Sequence, residues 1–231
     1  MPESSLDYTT FKKKYATRGA DIPQQVYLAN QDTMRIKKEK TAVDNLEKIL
    51  SAVFSISSKK GFHAMTMRDL SQKSGISLGA LYPYFESKDQ LLAIILEQGR
   101  SMVCETLEMF SREHAHPLEK LRVTIKAHIF LSELMRPWFY FAFMEVRNLK
   151  AAEFEAVKAM EERTQKILCD ILEQGEAEGV FRAGNHALTA SMIKALQQEW
   201  YLKRWKYTKQ QVPVDQYAEQ VMEMVEKYCC C

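Results

Sequence analysis

The sequence predicts an all-α protein, and three observations carry that prediction. Eight glycines and six prolines in 231 residues amount to about half the usual share of the two residues that punctuate turns. Hydrophobic residues make up 46% of the chain, enough for a core and too many for wholesale disorder. Where the apolar residues are periodic, they recur at three- and four-residue spacing and not by alternation.

The elements follow in order. Residues 1–40 hold no sustained period and carry Lys12, Lys13, Lys14, Arg18, Arg35, Lys37, Lys38 and Lys40 against five acids. They read as a basic, partly disordered arm with a short helix near Gln24–Lys38, either contacting an anionic partner or simply solvated. From Thr41, the residues Leu46, Ile49, Leu50, Val53 and Phe54 form one helical stripe, which Gly61 closes. Thr66 and Asp69 have the spacing of a capping box for a second helix ending by Gly75. A third runs from about Ser77 to Tyr84. Ser87 and Gln90 cap a long helix through Leu91, Ile95, Met102 and Leu107.

Beyond residue 110 the pattern is helix with short breaks. Pro117 suits a first turn, and Pro137 marks a boundary before the aromatic run Trp138–Phe143. Val157, Thr164, Leu168 and Ile171 make a stripe ended by Gly175 or Gly179. Leu188, Met192 and Leu196 make another, and Tyr217, Val221, Met224, Val225 and Tyr228 the last. The total is about nine helices in three parts: an arm (1–40), a compact head (41–88) and a helical body (89–231).

The net charge of +2 conceals an asymmetry. Residues 1–88 hold 14 Lys and Arg against 9 Asp and Glu, a net of +5, and the remainder holds 18 against 21, a net of −3. A basic first third directs an anionic partner to the N-terminal part. No apolar run approaches the length of a membrane span, and the N-terminal residues MPESSLDYTTFKKKY hold no apolar h-region, so the expected location is cytoplasmic. The five cysteines, Cys104, Cys169 and Cys229 to Cys231, contain no C-x-x-C pair, so neither a zinc nor a disulfide framework is expected, and the terminal triplet lacks a prenylation pattern. His114 and His116 form an H-x-H pair in a loop, but no carboxylate or cysteine spacing supports a metal site there. No nucleophile elbow, phosphate loop or paired-carboxylate signature appears, so no catalytic residue, metal or cofactor is expected.

Three of the eight glycines fall between residues 61 and 79. There two short helices meet at Ser74-Gly75-Ile76, where Gly75 turns the chain with a positive φ. Leu70, Ile76, Leu81 and Phe85 hold the pair against the preceding helix, an arrangement of the helix-turn-helix type. Ser77, Leu78, Gly79, Ala80, Tyr82 and Tyr84 lie near the outer face of its second helix. Small residues there permit close approach to a groove, and tyrosine hydroxyls are good phosphate ligands.

This stretch resembles the DNA-binding domain of the TetR family of transcriptional regulators. The resemblance rests on Gly61, Phe62, Thr66, Asp69, Leu70, Gly75, Ile76, Ser77, Gly79, Leu81, Tyr82, Tyr84, Phe85, Ser87, Lys88 and Leu91, and it spans residues 42–92 without a gap. It implies a homodimeric repressor that binds a palindromic double-stranded DNA operator and leaves it when a small molecule binds the C-terminal domain. It further implies that Thr66 caps its helix and touches a phosphate. Ser77, Leu78, Gly79 and Ala80 would lie in the major groove, Tyr82 and Tyr84 would contact phosphate or base edges, and Lys88 would bind phosphate. Leu78 and Ala80 stand where family members often carry basic or polar side chains, so base reading here would lean on thymine methyls and DNA shape.

In the body, Trp138, Phe139, Phe141, Phe143 and Met144 crowd one short segment with Arg147 a turn later, a candidate effector lining with an anion partner. The segment Glu199–Tyr207 is similar to C-terminal segments of acyl-CoA-sensing TetR-type regulators, and Trp200 and Arg204 would there meet an acyl-CoA or other hydrophobic anion. The competing reading makes Trp200 and Trp205 anchors of the four-helix dimer interface. A reading from a different class is an all-helical adaptor that presents its aromatic face to a protein partner and binds no specific DNA.

Overall fold

The computed structural model describes residues 6–16, 22–36, 38–146 and 149–230. Twelve helices are present among them: α1 (Tyr8–Ala16), α2 (Ile22–Asn30), α3 (Glu39–Lys60), α4 (Met67–Ser74), α5 (Leu78–Leu81), α6 (Lys88–Arg112), α7 (Pro117–Leu134), α8 (Arg136–Glu145), α9 (Ala151–Ala177), α10 (His186–Leu202), α11 (Arg204–Lys209) and α12 (Val214–Cys229). The all-α expectation holds. The expected count of about nine is low, because two helices lie in the segment read as an arm and a break at Lys203 separates α11 from α10. No helix among the described residues is long and apolar enough to cross a membrane.

The chain forms two compact units that do not follow sequence order. One holds Tyr15–Met102 and Tyr140–Glu155; the other holds Met1–Lys14, Val103–Phe139 and Ala156–Cys231. The first unit is the head. Leu46, Ile49 and Val53 of α3 are buried together with Leu70, Ile76, Leu81 and Phe85, the apolar set that the spacing predicts. The distant segment after Tyr140 completes this core: Phe141 meets the rings of Phe54 and Phe62 at 5.4 and 5.6 Å. Buried Glu145 accepts the Phe62 backbone N–H at 2.9 Å.

The N-terminal segment is not a free arm where it is described. Phe11 of α1 is fully buried in the second unit, against the rings of Phe110 and Phe130. In the head, α2 packs on α3 through buried Val26 and Tyr27, and the Arg35 N–H donates to the Pro83 carbonyl at 2.9 Å. Tyr8, Phe11 and Tyr15 are a stripe only two turns long. The lysine run between them hides it from a periodicity search, and a helix that short is stable only when packed.

In the second unit, Gly175 lies inside α9 and does not end it; Gly179, with φ +71°, follows the helix. A Cβ on Gly175 would stand 1.9 Å from Cδ2 of Phe181, a ring that is itself buried. Gly to Ala inside a helix ordinarily stabilises by about 1 kcal/mol. Gly175→Ala is expected to reverse that sign and cost about 1–3 kcal/mol through overpacking. A thermal melt of the variant checks this, and a raised midpoint contradicts it.

Candidate nucleic-acid interface

The head's two short helices are locked at their junction. Gly75 takes the left-handed conformation, φ +72° and ψ 13°, which a Cβ would strain. Ser71 Oγ donates to the Ile76 carbonyl at 2.7 Å across the turn. At the start of α4 the capping box forms in full: the Asp69 N–H donates to Thr66 Oγ1, and the Thr66 N–H donates to Asp69 Oδ2 at 2.7 Å. Lys60 donates to the same carboxylate at 2.8 Å. These bonds, the Lys60 contact foremost, hold the Asp69 carboxyl well below the usual range. Removing the Thr66 hydroxyl with Ala is expected to cost about 1 kcal/mol, measurable by urea unfolding.

Across the turn, Ser77 caps α5 by accepting the Ala80 N–H at 3.3 Å. The helix is shorter than the expected Ser77–Tyr84. Pro83 lacks an N–H, and the Tyr84 N–H turns back to the Leu81 carbonyl. With Leu81 fixed in the core, Ser77, Gly79, Ala80 and Tyr82 are exposed and Leu78 half-buried. Thr66 is exposed as well. Beside it, a groove of about 450 Å³ between α3 and α4 is lined by Lys59, Lys60 and Lys73 around Asp69. Lys59 and Lys73 escaped the sequence reading because surface lysines fourteen residues apart give no pattern; only the packing of α3 on α4 brings them together.

Two of the expected DNA contacts, Tyr84 on the outer face and Lys88 as a phosphate ligand, are used otherwise. Tyr84 is 3% exposed, and its hydroxyl accepts from Asn45 Nδ2 at 2.8 Å, so it belongs to the core that seats α5 on α3. Lys88 Nζ donates to the carbonyls of His63 and Met65 at 2.7 and 3.1 Å and lies over the Phe62 ring. It ties the start of α6 to the turn after α3. Simple alternation around Leu81 and Phe85 suggests exposure for both tyrosines; the turn at Pro83 breaks that alternation.

The expected effector residues do not converge. Trp138 and Phe139 are buried in the second unit, edge to face at 5.2 Å, with Phe139 also 5.0 Å from Tyr201. Phe141 belongs to the head core, while Phe143 and Met144 are exposed on the same unit. Arg147 lies outside the described residues. Trp200 is fully buried, and its indole N–H donates to Glu133 at 3.0 Å. Arg204 donates to the same carboxylate and stacks over the Trp200 ring, so its charge is already balanced. One run of aromatics serves two cores here, which no spacing rule reveals.

The second unit instead buries polar groups that sequence reading passed over. Thr124, His128, Thr164 and Lys194 are all under 9% exposed. Thr164 falls in the apolar stripe of its helix, whereas Thr124, His128 and Lys194 stand outside the stripes and look like ordinary surface residues in sequence. Burial pushes the His128 imidazole down to about 3, and the Lys194 ammonium acts in the same direction. Between about pH 6.5 and pH 3 the unfolded chain therefore holds a proton that the native state does not. Stability is expected to fall on acidification through that window. The slope of melting midpoint against pH should flatten in His128→Leu; equal slopes would contradict the assignment.

Both parts of the chain match known proteins. Residues 49–95 match the family described as bacterial regulatory proteins, tetR family, and residues 114–225 match the tetracyclin repressor-like C-terminal domain. The chain is 22% identical over 189 residues to the HTH-type transcriptional regulator HbdR of Aromatoleum sp. (strain CIB), covering 82% of each chain. It is 26% identical over 137 residues to the HTH-type transcriptional repressor KstR2 of Mycolicibacterium smegmatis, 59% of this chain and 67% of that one. The ketosteroid transcriptional regulator KstR2 of Mycobacterium tuberculosis shares its fold, with a TM-score of 0.72 at 21% identity over 85% of this chain and 97% of that one. FadR of Bacillus subtilis, solved with stearoyl-CoA, gives a TM-score of 0.60 at 20% identity over 78% and 96%.

Proposed function

The chain belongs to the TetR family of bacterial regulatory proteins, and from that premise we propose how its own residues perform the family's task. The protein is a DNA-binding transcriptional repressor and not an enzyme. The observation that carries the residue-level reading is the exposed patch Ser77, Gly79, Ala80 and Tyr82 held out by the Gly75 turn. Small side chains let α5 sit close to the base edges in a major groove, and Leu78 supplies an apolar edge for thymine methyls. Tyr82, 47% exposed, and Thr66 stand at its margins to bond phosphates, with Lys59 and Lys73 adding charge. Tyr84 and Lys88 act indirectly, by fixing the seat of α5 and the start of α6.

Dimerisation presents two such patches to one palindrome, about 34 Å apart. Leu188 and Met192 of α10, with Met224 and Tyr228 of α12, are more than half exposed. They fall one turn apart on each helix and form the apolar face that a second copy would cover. Met192→Glu is expected to convert the dimer to monomer in native mass spectrometry; an unchanged dimer mass places the interface elsewhere.

The effector is a small molecule bound in the second unit, which shifts the dimer toward a spacing that no longer fits the operator. The finer reading, an acyl-CoA, draws support from the stearoyl-CoA complex of FadR, a protein of the same fold. It draws none from Trp200 and Arg204, whose polar groups are already engaged with Glu133.

Gel shifts with the DNA upstream of the protein's own gene, across a salt series, test the reading. The expected result is a salt-sensitive, palindrome-dependent complex. Tyr82→Phe should weaken it about tenfold, the loss of one hydrogen bond to a charged group, about 1.5 kcal/mol, with an unchanged salt slope. The absence of any sequence-specific complex would favour the helical adaptor.

A further inference from the structure

The interior of the second unit holds polar groups that its packing leaves unsatisfied. Thr124 and His128 stand one turn apart on α7, so their side chains share a face. Thr124 is 1% exposed and His128 5%. Neither Thr124 Oγ1 nor His128 Nδ1 has a hydrogen-bond partner among the described residues. From α10, which packs on α7, the buried Lys194 reaches the same interior. It donates to Thr164 Oγ1, lies 3.1 Å from a Glu161 carboxylate oxygen, and is close enough to His128 to oppose its protonation. Phe139 turns its ring on His128 at 5.6 Å and on Tyr201 at 5.0 Å. Helices α7, α8, α9 and α10 thus each contribute polar or aromatic side chains to this interior.

Buried polar groups in folded proteins are almost always satisfied, and two unsatisfied ones on one helical face beside a buried ammonium call for a partner. We propose that this cluster is the recognition end of the effector site, and that it takes a neutral oxygen, a hydroxyl or ketone, at the tip of an apolar or aromatic molecule. The proposal rests on the effector reading given above and specifies its chemistry. Charge decides between the candidate groups. Glu161 already balances Lys194, so an incoming carboxylate would leave an uncompensated negative charge among buried groups. A bare hydrocarbon would leave Thr124 and His128 as they are. A hydroxyl both donates and accepts, so it serves the Thr124 hydroxyl and either tautomer of His128. A ring on the same molecule finds edge and face contacts at Phe139 and Tyr201.

The test uses the full chain and three probes with one body: naphthalene, 2-naphthol and 2-naphthoate, measured by equilibrium dialysis. The expected order is 2-naphthol at least about tenfold tighter than either of the others. Thr124→Val keeps the volume and removes the hydroxyl. It should bring 2-naphthol to within about threefold of naphthalene while leaving naphthalene unchanged. Absence of 2-naphthol binding up to its solubility limit, tighter binding of 2-naphthoate, or a 2-naphthol preference intact in Thr124→Val each overturns the proposal. The same samples are run in the gel shift. A specific DNA complex alongside a failed preference overturns the site alone; loss of that complex from the unmodified protein overturns the regulator reading itself.

Discussion

Trp200→Ala should destabilise the protein by about 3–5 kcal/mol, the range for emptying a large aromatic site in a core. Trp200 is fully buried, and its ring lies 5.2 Å from Tyr207 and 4.8 Å from Tyr217. Those two tyrosines meet at 4.8 Å, and the Tyr217 hydroxyl donates to the Leu196 carbonyl at 2.6 Å. The indole N–H and the Arg204 guanidinium share the Glu133 carboxylate at 3.0 Å each. Alanine therefore removes the ring around which α10, α11 and α12 close, and takes one donor from a partly buried carboxylate. Trp200→Phe keeps part of the ring area while losing the donor and leaving a smaller cavity, so its cost should be lower, about 2–3 kcal/mol. Urea unfolding followed by circular dichroism separates the two, since a change of midpoint at constant slope reports stability. A cost below about 1 kcal/mol for the alanine variant would refute the central place given to Trp200.

Phe11→Ala is expected to cost a similar amount, about 3–5 kcal/mol, although residues 1–40 read in sequence as an arm. Phe11 has no exposed surface and packs on Phe110 and Phe130 at 5.5 and 5.8 Å. The helix is pinned further by the Tyr8 N–H to Asp215 at 2.8 Å and by the Lys14 ion pair with Glu113. Lys12 lies over the Tyr8 ring. A free arm would make the opposite prediction: removing it would leave stability alone and flatten the salt dependence of DNA binding. Deletion of residues 1–16 decides between them. Docked α1 requires a lower melting midpoint with the salt slope retained, and an unchanged midpoint with a flatter slope restores the arm.

The all-α class, the helix-turn-helix and its caps were legible in the sequence because they are local. A shortage of turn residues, a glycine at a left-handed position and a threonine three residues before its aspartate act within one or two helical turns. Neighbouring residues alone fix their conformation. The outward face of Ser77, Gly79, Ala80 and Tyr82 followed from the same local logic, and it failed at Tyr84, where Pro83 turned the chain and Asn45 claimed the hydroxyl.

Only the tertiary structure decided what depends on partners far along the chain. It sent Phe141 into the head and Phe139 into the body. It used up Arg204 on Glu133 and Lys88 on backbone carbonyls, and it buried Thr124, His128 and Lys194 where their helices meet. A side chain's type and spacing state what it can bond to. Which bond it makes is set by the desolvation and packing of distant segments against one another, and those energies have no period along the sequence.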